Sequence, residues 1–161
     1  MGATPQLLLV VHLGVTWFMT GVIWIVQVVH YPLFGRVGAA GYEVYQADHV
    51  RLISYVVLPA MLVELATACV LAWQSPTLCS PSHVSARTLW VANLVLLAVI
   101  WSSTFLVQVP AHEQLAGGFD ADAHRRLVSS NWIRTVAWSL RAFGLAALLY
   151  AGLRRCAGAV G

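Results

Sequence analysis

The chain has very few charged residues, and none of them is lysine. Charged residues make up 9% of its 161 residues, whereas about a quarter of the residues in a soluble domain are charged. Its arginines are scattered, without the basic patch that nucleic-acid binding requires. Its three cysteines, Cys69, Cys79 and Cys156, show no paired spacing, so neither a disulfide framework nor a thiolate metal site is indicated. These absences argue against a soluble domain, a nucleic-acid-binding protein and a disulfide scaffold.

Four long apolar runs account for most of the sequence. They cover residues 7–34, 52–73, 89–109 and 132–150, and each is near or above the ~20 residues that a helix needs to cross a bilayer. We therefore predict one all-α integral membrane domain over residues 1–161, a four-helix transmembrane bundle with up-down-up-down topology. Both termini then lie on one side of the membrane. We place that side in the cytoplasm, because Cys79 and Cys156 on it are expected to stay reduced.

Prolines and turn residues predict where the helices begin and end. The residue before a proline is pushed out of the helical region, so we predict that the first helix ends at Tyr31, before Pro32, and that the third ends at Pro110. The second helix should begin near Tyr42, after a glycine-bearing turn. Asp120 is a suitable N-cap for a long fourth helix, because its carboxylate can accept a backbone N–H of the first turn.

The two halves of the chain resemble each other in outline. Val26-Gln27-Val28 closes the first apolar run as Val107-Gln108-Val109 closes the third, and Gly41-Tyr42-Glu43 precedes the second helix as Gly118-Phe119-Asp120 precedes the fourth. The pattern indicates two similar hairpins related by an axis along the membrane normal. Chance similarity of short motifs is the alternative explanation.

Two arginines, Arg134 and Arg141, lie within the last apolar run. An arginine at the centre of a bilayer costs at least ~2.5–3.5 kcal/mol, so it persists where it faces a bundle interior and meets a partner. Glu64 is the carboxylate that we expect Arg141 to reach, at a depth near that of His12. We assign catalytic roles to Glu64, Arg141 and Arg134. A purely structural ion pair between Glu64 and Arg141 is the alternative to a proton path.

Most of the ionisable residues lie in two segments, 30–51 and 112–126, which connect helices on the face away from the termini. We call this face the histidine-rich end. His30, His49 and His112 should lie there at similar depth, as ligands from facing helices of a bundle must. Because imidazole is the commonest metal ligand, we predict that they bind haem b or another iron or copper ion. Unligated polar residues at the membrane boundary are the alternative.

Other polar residues near the histidine-rich end are predicted to hold the cofactor or substrate. Arg51, together with Arg134, would grip an anionic group through bidentate hydrogen bonds. Gln108 and Asn131 face the same region in helical phase. His83 and His124 are assigned to solvated surface.

Short motifs in the chain resemble two families of small membrane proteins. The stretch from Arg51 to Leu62, with His12 before it, resembles the first hairpin of the four-helix membrane protoporphyrinogen oxidases, which bind haem b. Two stretches of the second half, 109–115 (Val-Pro-Ala-His-Glu-Gln-Leu) and 131–135 (Asn-Trp-Ile-Arg-Thr), resemble the anthrone-oxygenase-like family of small integral membrane proteins.

The second resemblance implies a four-helix membrane protein, and some members of that family oxidise polycyclic phenolic substrates with dioxygen. On the matching positions, Pro110, His112, Asn131 and Arg134 would belong to the site. That family more often has asparagine where His112 stands, so the resemblance implies no shared metal ligand at this position.

Two functions therefore follow from the sequence. The first is a membrane-embedded oxidoreductase or oxygenase with a histidine-ligated haem or metal, which takes a lipophilic ring compound or quinone from the lipid bilayer. The second is a non-enzymatic accessory subunit of a larger membrane complex, whose inner polar residues serve only to fix the helix register. Besides the lipid bilayer and a lipophilic small molecule, we expect as a partner either such a complex or further copies of the chain in a homo-oligomer. Neither function involves nucleic acid.

Overall fold

The computed structural model describes residues 3–74 and 86–158. Residues 75–85, with Cys79 and His83, lie outside the described residues. The described parts are almost entirely helical and contain no β-strand.

Four helices are long and apolar enough to cross a membrane, and we number them as spans 1 to 4: Gln6–Phe34, Ala39–Gln74, Arg87–Leu115 and Ala121–Arg154. They confirm the all-α, four-helix class expected of a multi-pass membrane protein. Spans 2 and 4 begin well before the apolar runs at residues 52 and 132. The amphipathic stretches in front of those runs continue the same helices.

Spans 1 and 3 each consist of a long helix, a π-helical segment and a short helix. Span 1 comprises α1 (Ala3–Ile25), a π segment (Val26–His30) and α2 (Tyr31–Phe34). Span 3 comprises α4 (Ala86–Ser103), a π segment (Thr104–Gln108) and α5 (Val109–Leu115). Spans 2 and 4 contain one long helix each, α3 (Tyr42–Gln74) and α6 (Ala121–Gly158), and a short 3₁₀ turn (Ala39–Gly41) precedes α3.

The predicted helix ends at Tyr31 and Pro110 are wrong, because the helices continue to Phe34 and Leu115. In a regular helix the ring of a proline collides with the carbonyl group four residues earlier. Here each proline follows a π segment, whose wider turn makes hydrogen bonds five residues apart. The N–H of Tyr31 bonds to the carbonyl of Val26, as that of Val109 bonds to the carbonyl of Thr104. Because both hairpins have a π segment just before a proline, this arrangement favours the predicted repeat of two similar hairpins.

The four spans form a closed ring in which span 1 packs against spans 2 and 4, and span 3 packs against the same two. An apolar core that includes Met19, Phe34, Met61 and Ile100 fills the centre. Many large apolar side chains instead cover the outside, as a lipid environment permits. The buried positions hold an unusual number of polar groups, among them Gln27, Gln46, Thr67, Asn93, Asn131 and Arg134.

The two connections at the histidine-rich end pack against each other. Asp120 caps span 4 as predicted, since its Oδ1 accepts the N–H of Ala123 at 2.6 Å. Gly118 has a φ of +130°, a conformation that favours glycine, and it turns the chain towards this cap. The rings of Tyr42 and Phe119 meet edge to face with centroids 5.2 Å apart. This contact closes the end of the bundle beside the histidines.

Candidate functional site

A cavity of about 540 Å³ lies inside the bundle, mainly between spans 2 and 3. This volume falls within the ~300–1,000 Å³ typical of small-molecule sites. Its wall is largely apolar, with Ile23, Met61 and Trp101 on three different spans. Its polar lining comes mostly from residues towards the histidine-rich end: Tyr31, Gln46, His49, Thr104, Gln108, His112 and Arg134.

The cavity opens sideways, between spans 2 and 3. Val50 and Leu58 of span 2 and Phe105 and Val109 of span 3 line it, and all four are also exposed on the outer surface of the bundle. That outer surface is the one that lipid covers in a membrane.

Arg134 is a buried cation without a carboxylate partner. Its Nη1 donates to Thr104 Oγ1 at 3.2 Å, and its Nη2 lies 3.5 Å from the hydroxyl of Tyr31. Both groups are neutral, and among the described residues the carboxylate-containing ion pairs involve other arginines. A buried charge normally requires a partner of opposite sign. The cavity thus ends on a positive charge that no carboxylate of the described residues compensates.

Asn131, which lies outside the cavity, fixes the orientation of this guanidinium. Its Oδ1 accepts from Nε and Nη2 of Arg134 at 2.9 and 2.6 Å, and its Nδ2 donates to Gln27 Oε1 at 2.9 Å. Asn131 does not line the cavity. The residue that we predicted to hold a cofactor therefore acts on Arg134. Gln108, assigned the same role, does line the cavity, and its Nε2 donates to Ser130 at 2.8 Å.

Tyr31 links Arg134 to His112. Its hydroxyl oxygen lies 3.0 Å from Nε2 of His112. Gln46 Nε2 donates to Nδ1 of the same imidazole at 2.8 Å, which leaves the ring proton of a neutral His112 on Nε2, facing Tyr31. Sequence reasoning missed Tyr31 and Gln46. Tyr31 follows Gln27 by one helical turn, and this phase would have identified it if the helix had not been ended at Pro32.

His30 and His49 meet as predicted, but they bind each other. The Nε2 atom of His30 lies 2.6 Å from Nδ1 of His49, which is a hydrogen-bond distance. The ring of His112 lies next to them, with its centroid 5.3 Å from that of His49. The three predicted ligands therefore form one cluster at one depth.

In this arrangement the cluster is held by hydrogen bonds: His30 Nε2 and His49 Nδ1 lie closer together than the ~3.3 Å that separates two ligand nitrogens at a tetrahedral centre with metal–nitrogen bonds of ~2.0–2.1 Å. The predicted binding of haem or another iron or copper ion by His30, His49 and His112 stays a prediction. Both nitrogens of His112 are hydrogen-bonded. Among the described residues no group of three His, Cys, Asp or Glu side chains is placed to hold a metal ion. The Nε2 of His49 has no hydrogen-bond partner among the described residues, and the same holds for Nε1 of Trp101, which also lines the cavity.

Arg51 lies apart from Arg134, at the rim of the cavity. Its side chain is exposed and pairs with Asp48 one turn earlier, with 2.7 Å between Nη2 and Oδ1. An ion pair so exposed contributes little to stability. Arg51 and Arg134 both line the cavity, and the predicted two-arginine grip on an anion stays a prediction.

The predicted pair of Glu64 and Arg141 is present and completely buried, with 2.6 Å between Oε1 and Nη1. Trp138 Nε1 donates to the other carboxylate oxygen at 3.0 Å, and Arg141 Nη2 donates to Asn93 Oδ1 at 3.2 Å. Neither member of the pair lines the cavity, whereas Trp138 does. The indole therefore stands between the cavity and the ion pair.

His12 lies near this pair, as its predicted depth requires. Its Nδ1 lies 2.8 Å from Thr67 Oγ1, one turn beyond Glu64. Its Nε2 and the hydroxyl of Thr16 are buried, and neither has a hydrogen-bond partner within 3.5 Å among the described residues. The inner group is thus polar but separate from the cavity.

His124, which we predicted to lie on solvated surface, is partly buried and packs against span 1. Its Nε2 donates to the carbonyl of Tyr31 at 2.8 Å, and its ring stacks on Phe34 with an interplanar angle of 24°. The last carbonyls of a helix lack partners within it, and α2 ends at Phe34. His124 of span 4 therefore supplies a hydrogen-bond donor to one of these carbonyls, that of Tyr31.

No family model matches the chain, and neither a curated protein nor a solved structure matches it.

Proposed function

We propose that the protein is a membrane-embedded oxygenase whose substrate is a lipophilic ring compound with an acidic oxygen, such as a phenol or the enol form of a ring ketone. The observation that carries this proposal is the buried guanidinium of Arg134 at the end of the cavity, which pairs with no carboxylate in residues 3–74 and 86–158. An anionic oxygen would supply the missing charge, and a charge-assisted hydrogen bond to it is roughly twice as strong as a neutral one.

The remainder of the cavity suits the rings of such a substrate. The wall at Met61, Trp101 and Trp138 is apolar or aromatic, and the opening faces lipid. Tyr31 and His112 stand beside Arg134, where they can hydrogen-bond to the same oxygen or to a neighbouring one. A small number of polar groups at one end of an apolar pocket is enough to fix the orientation of a ligand.

The reaction class comes from the resemblance to anthrone-oxygenase-like proteins. A ring CH₂ group next to the conjugated system loses a proton, and the resulting anion carries its charge on the ring oxygen, where Arg134 stabilises it. Dioxygen then oxidises this carbon: the CH₂ becomes C=O with one oxygen atom, and the other leaves with the two hydrogens as water. In this scheme the side chains bind, orient and deprotonate the substrate, and no step uses a bound metal.

Anthrone is a suitable probe, because it has this CH₂ group and forms such an anion. We would titrate it anaerobically into the protein in lipid nanodiscs, comparing wild type with Arg134→Gln and with Arg125→Gln as the matched control, since Arg125 is exposed, pairs with Asp122 and lies outside the cavity. We expect Arg134→Gln to weaken binding about tenfold or more, since a hydrogen bond to a charged group contributes about 1.5–3 kcal/mol. Arg125→Gln should bind like wild type.

Oxygen uptake on admission of air then tests the reaction. Wild type should consume one dioxygen per anthrone, and Arg134→Gln should be slow even at saturating anthrone. Arg134→Lys retains the charge without the bidentate fork and serves as the folding control. Equal anthrone affinity in wild type and Arg134→Gln would contradict the proposal. Purification only as a stoichiometric part of a larger complex, without oxygen uptake, would favour an accessory subunit.

A further inference from the structure

The pair of His30 and His49 connects the cavity to the histidine-rich end. His49 is buried and lines the cavity, whereas His30 does not line it and is partly exposed close to the end of span 1. The hydrogen bond of 2.6 Å between them joins two different spans. One imidazole thus touches the substrate space, and the other reaches towards the outside.

The ring of Phe34 holds both imidazoles in place. Phe34 is completely buried, and its ring meets those of His30 and His49 edge to face, with centroids 5.1 and 5.0 Å away. Such packing restricts both rings and keeps their nitrogens aligned. The short hydrogen bond is therefore part of a packed unit.

The free nitrogens of the two rings lie at opposite ends of the pair. Nδ1 of His49 and Nε2 of His30 are used in the mutual hydrogen bond. Because the two nitrogens of an imidazole point in divergent directions, Nε2 of His49 is directed away from His30. Neither this atom nor Nδ1 of His30 has a hydrogen-bond partner among the described residues. Each is open to a ligand or to water.

We infer that His49 is the base that deprotonates the bound ring compound, and that His30 passes the proton to water at the histidine-rich end. This inference rests on the proposed function. The CH proton of the substrate moves to Nε2 of His49, the proton on Nδ1 of His49 moves to Nε2 of His30, and the proton on Nδ1 of His30 leaves to water. Two neutral imidazoles remain, each in its other tautomer.

The surroundings of the pair favour release of the proton. The rings of Tyr31, Tyr45 and His112 contact it, and none carries a negative charge in its ordinary form. The cation of Arg134 lies at the same end of the cavity, and exposed Glu113 lies at its rim. A proton retained on His49 would add a second positive charge in a poorly solvated space. Its transfer through His30 avoids this cost.

Four variants test the relay: His49→Ala, His30→Ala, Arg134→Gln and, as matched control, His124→Gln. His124 contacts the same Phe34 ring but neither lines the cavity nor belongs to the pair. We would measure anaerobic anthrone binding, the rate of oxygen uptake in H₂O and D₂O, and rescue by added imidazole. His49→Ala should bind anthrone within threefold of wild type and lose oxygen uptake at least about 100-fold, the lower range for a general base.

His30→Ala should also bind anthrone normally, with uptake slowed about tenfold and restored by imidazole from solution. Its D₂O effect should exceed that of wild type, because proton release becomes limiting. His124→Gln should match wild type in all three measurements.

The possible failures are distinguishable. Normal uptake in both His49→Ala and His30→Ala, with loss in Arg134→Gln, would overturn the relay and leave the oxygenase proposal standing. A Soret band or bound metal that is lost in both histidine variants would replace the relay with ligation. If wild type neither binds nor oxidises anthrone, the proposed function fails and the relay fails with it.

Discussion

Asn131 and Arg134 lie one helical turn apart, and a single amide oxygen of Asn131 accepts hydrogen bonds from two nitrogens of Arg134, at 2.9 and 2.6 Å. The residue that orients the buried guanidinium is therefore neutral. A carboxylate at the same position would orient it equally well and would also cancel its charge. That the chain has an amide here is what leaves the cation available to a ligand.

Asn131→Asp should therefore weaken anion binding while leaving the bundle folded. The new carboxylate would form an ion pair with Arg134, so we expect anthrone affinity to fall about tenfold or more. The variant loses the hydrogen bond from Asn131 Nδ2 to Gln27 Oε1 but gains this ion pair, so the melting temperature in detergent should change little. Asn93→Asp is the matched control, because Asn93 makes the equivalent contact with Arg141, away from the cavity. Equal loss of affinity in both variants would argue against a specific role of Arg134.

Tyr31→Phe should weaken binding modestly. The change removes a hydroxyl group that contacts both His112 and Arg134, and one hydrogen bond contributes about 0.5–1.5 kcal/mol, or about two- to tenfold in affinity. Tyr45→Phe is the control, since its hydroxyl makes no hydrogen bond to a described residue. Calorimetric or fluorescence titration with anthrone measures both. An unchanged affinity in Tyr31→Phe would remove Tyr31 from the site.

A large side chain at the opening should slow entry of the ligand. Leu58 lies on the rim between spans 2 and 3, so Leu58→Trp should reduce the association rate severalfold and change the equilibrium affinity much less. Leu62→Trp, one turn further along and also exposed, lies outside the cavity and should have no effect. Stopped-flow mixing with lipid-borne anthrone distinguishes the two. Equal rates in both variants would mean that the ligand enters elsewhere.

The ion pair of Glu64 and Arg141 should act on stability. Glu64→Gln leaves a buried guanidinium without its carboxylate, and loss of one partner of a buried pair costs about 3–5 kcal/mol. The free energy of unfolding in mixed micelles should fall by that order, whereas Glu43→Gln at an exposed position should change it little. Anthrone binding by the folded protein should remain. A loss of oxygen uptake without a loss of stability would instead place the pair on a proton path.

The fold was largely predictable from the sequence, because spans, caps and buried charges obey local rules. Four apolar runs predicted four spans, and Asp120 predicted the start of the last one. The helix ends at Tyr31 and Pro110 were not predictable, because proline normally stops a helix and the sequence carries no clear signal for the π segments that accommodate it.

The sequence allowed us to predict which residues lie in the site more successfully than which of them form hydrogen bonds with each other. Arg141 had to meet Glu64, since no other carboxylate lies at that depth, and the histidines had to meet at one end. The hydrogen bond between His30 and His49 depends on how closely spans 1 and 2 approach, which no spacing within one helix reveals. The same limit applies to His124, which packs against a helix end in another span.

The ionisation state of bound anthrone tests the central claim most directly. Its absorption spectrum would be recorded anaerobically at a pH at which free anthrone is neutral, with wild type and with Arg134→Gln at saturating protein. The account predicts the absorption band of the anion in wild type and the neutral spectrum in Arg134→Gln. A neutral spectrum with both proteins would show that the buried guanidinium does not stabilise an anion.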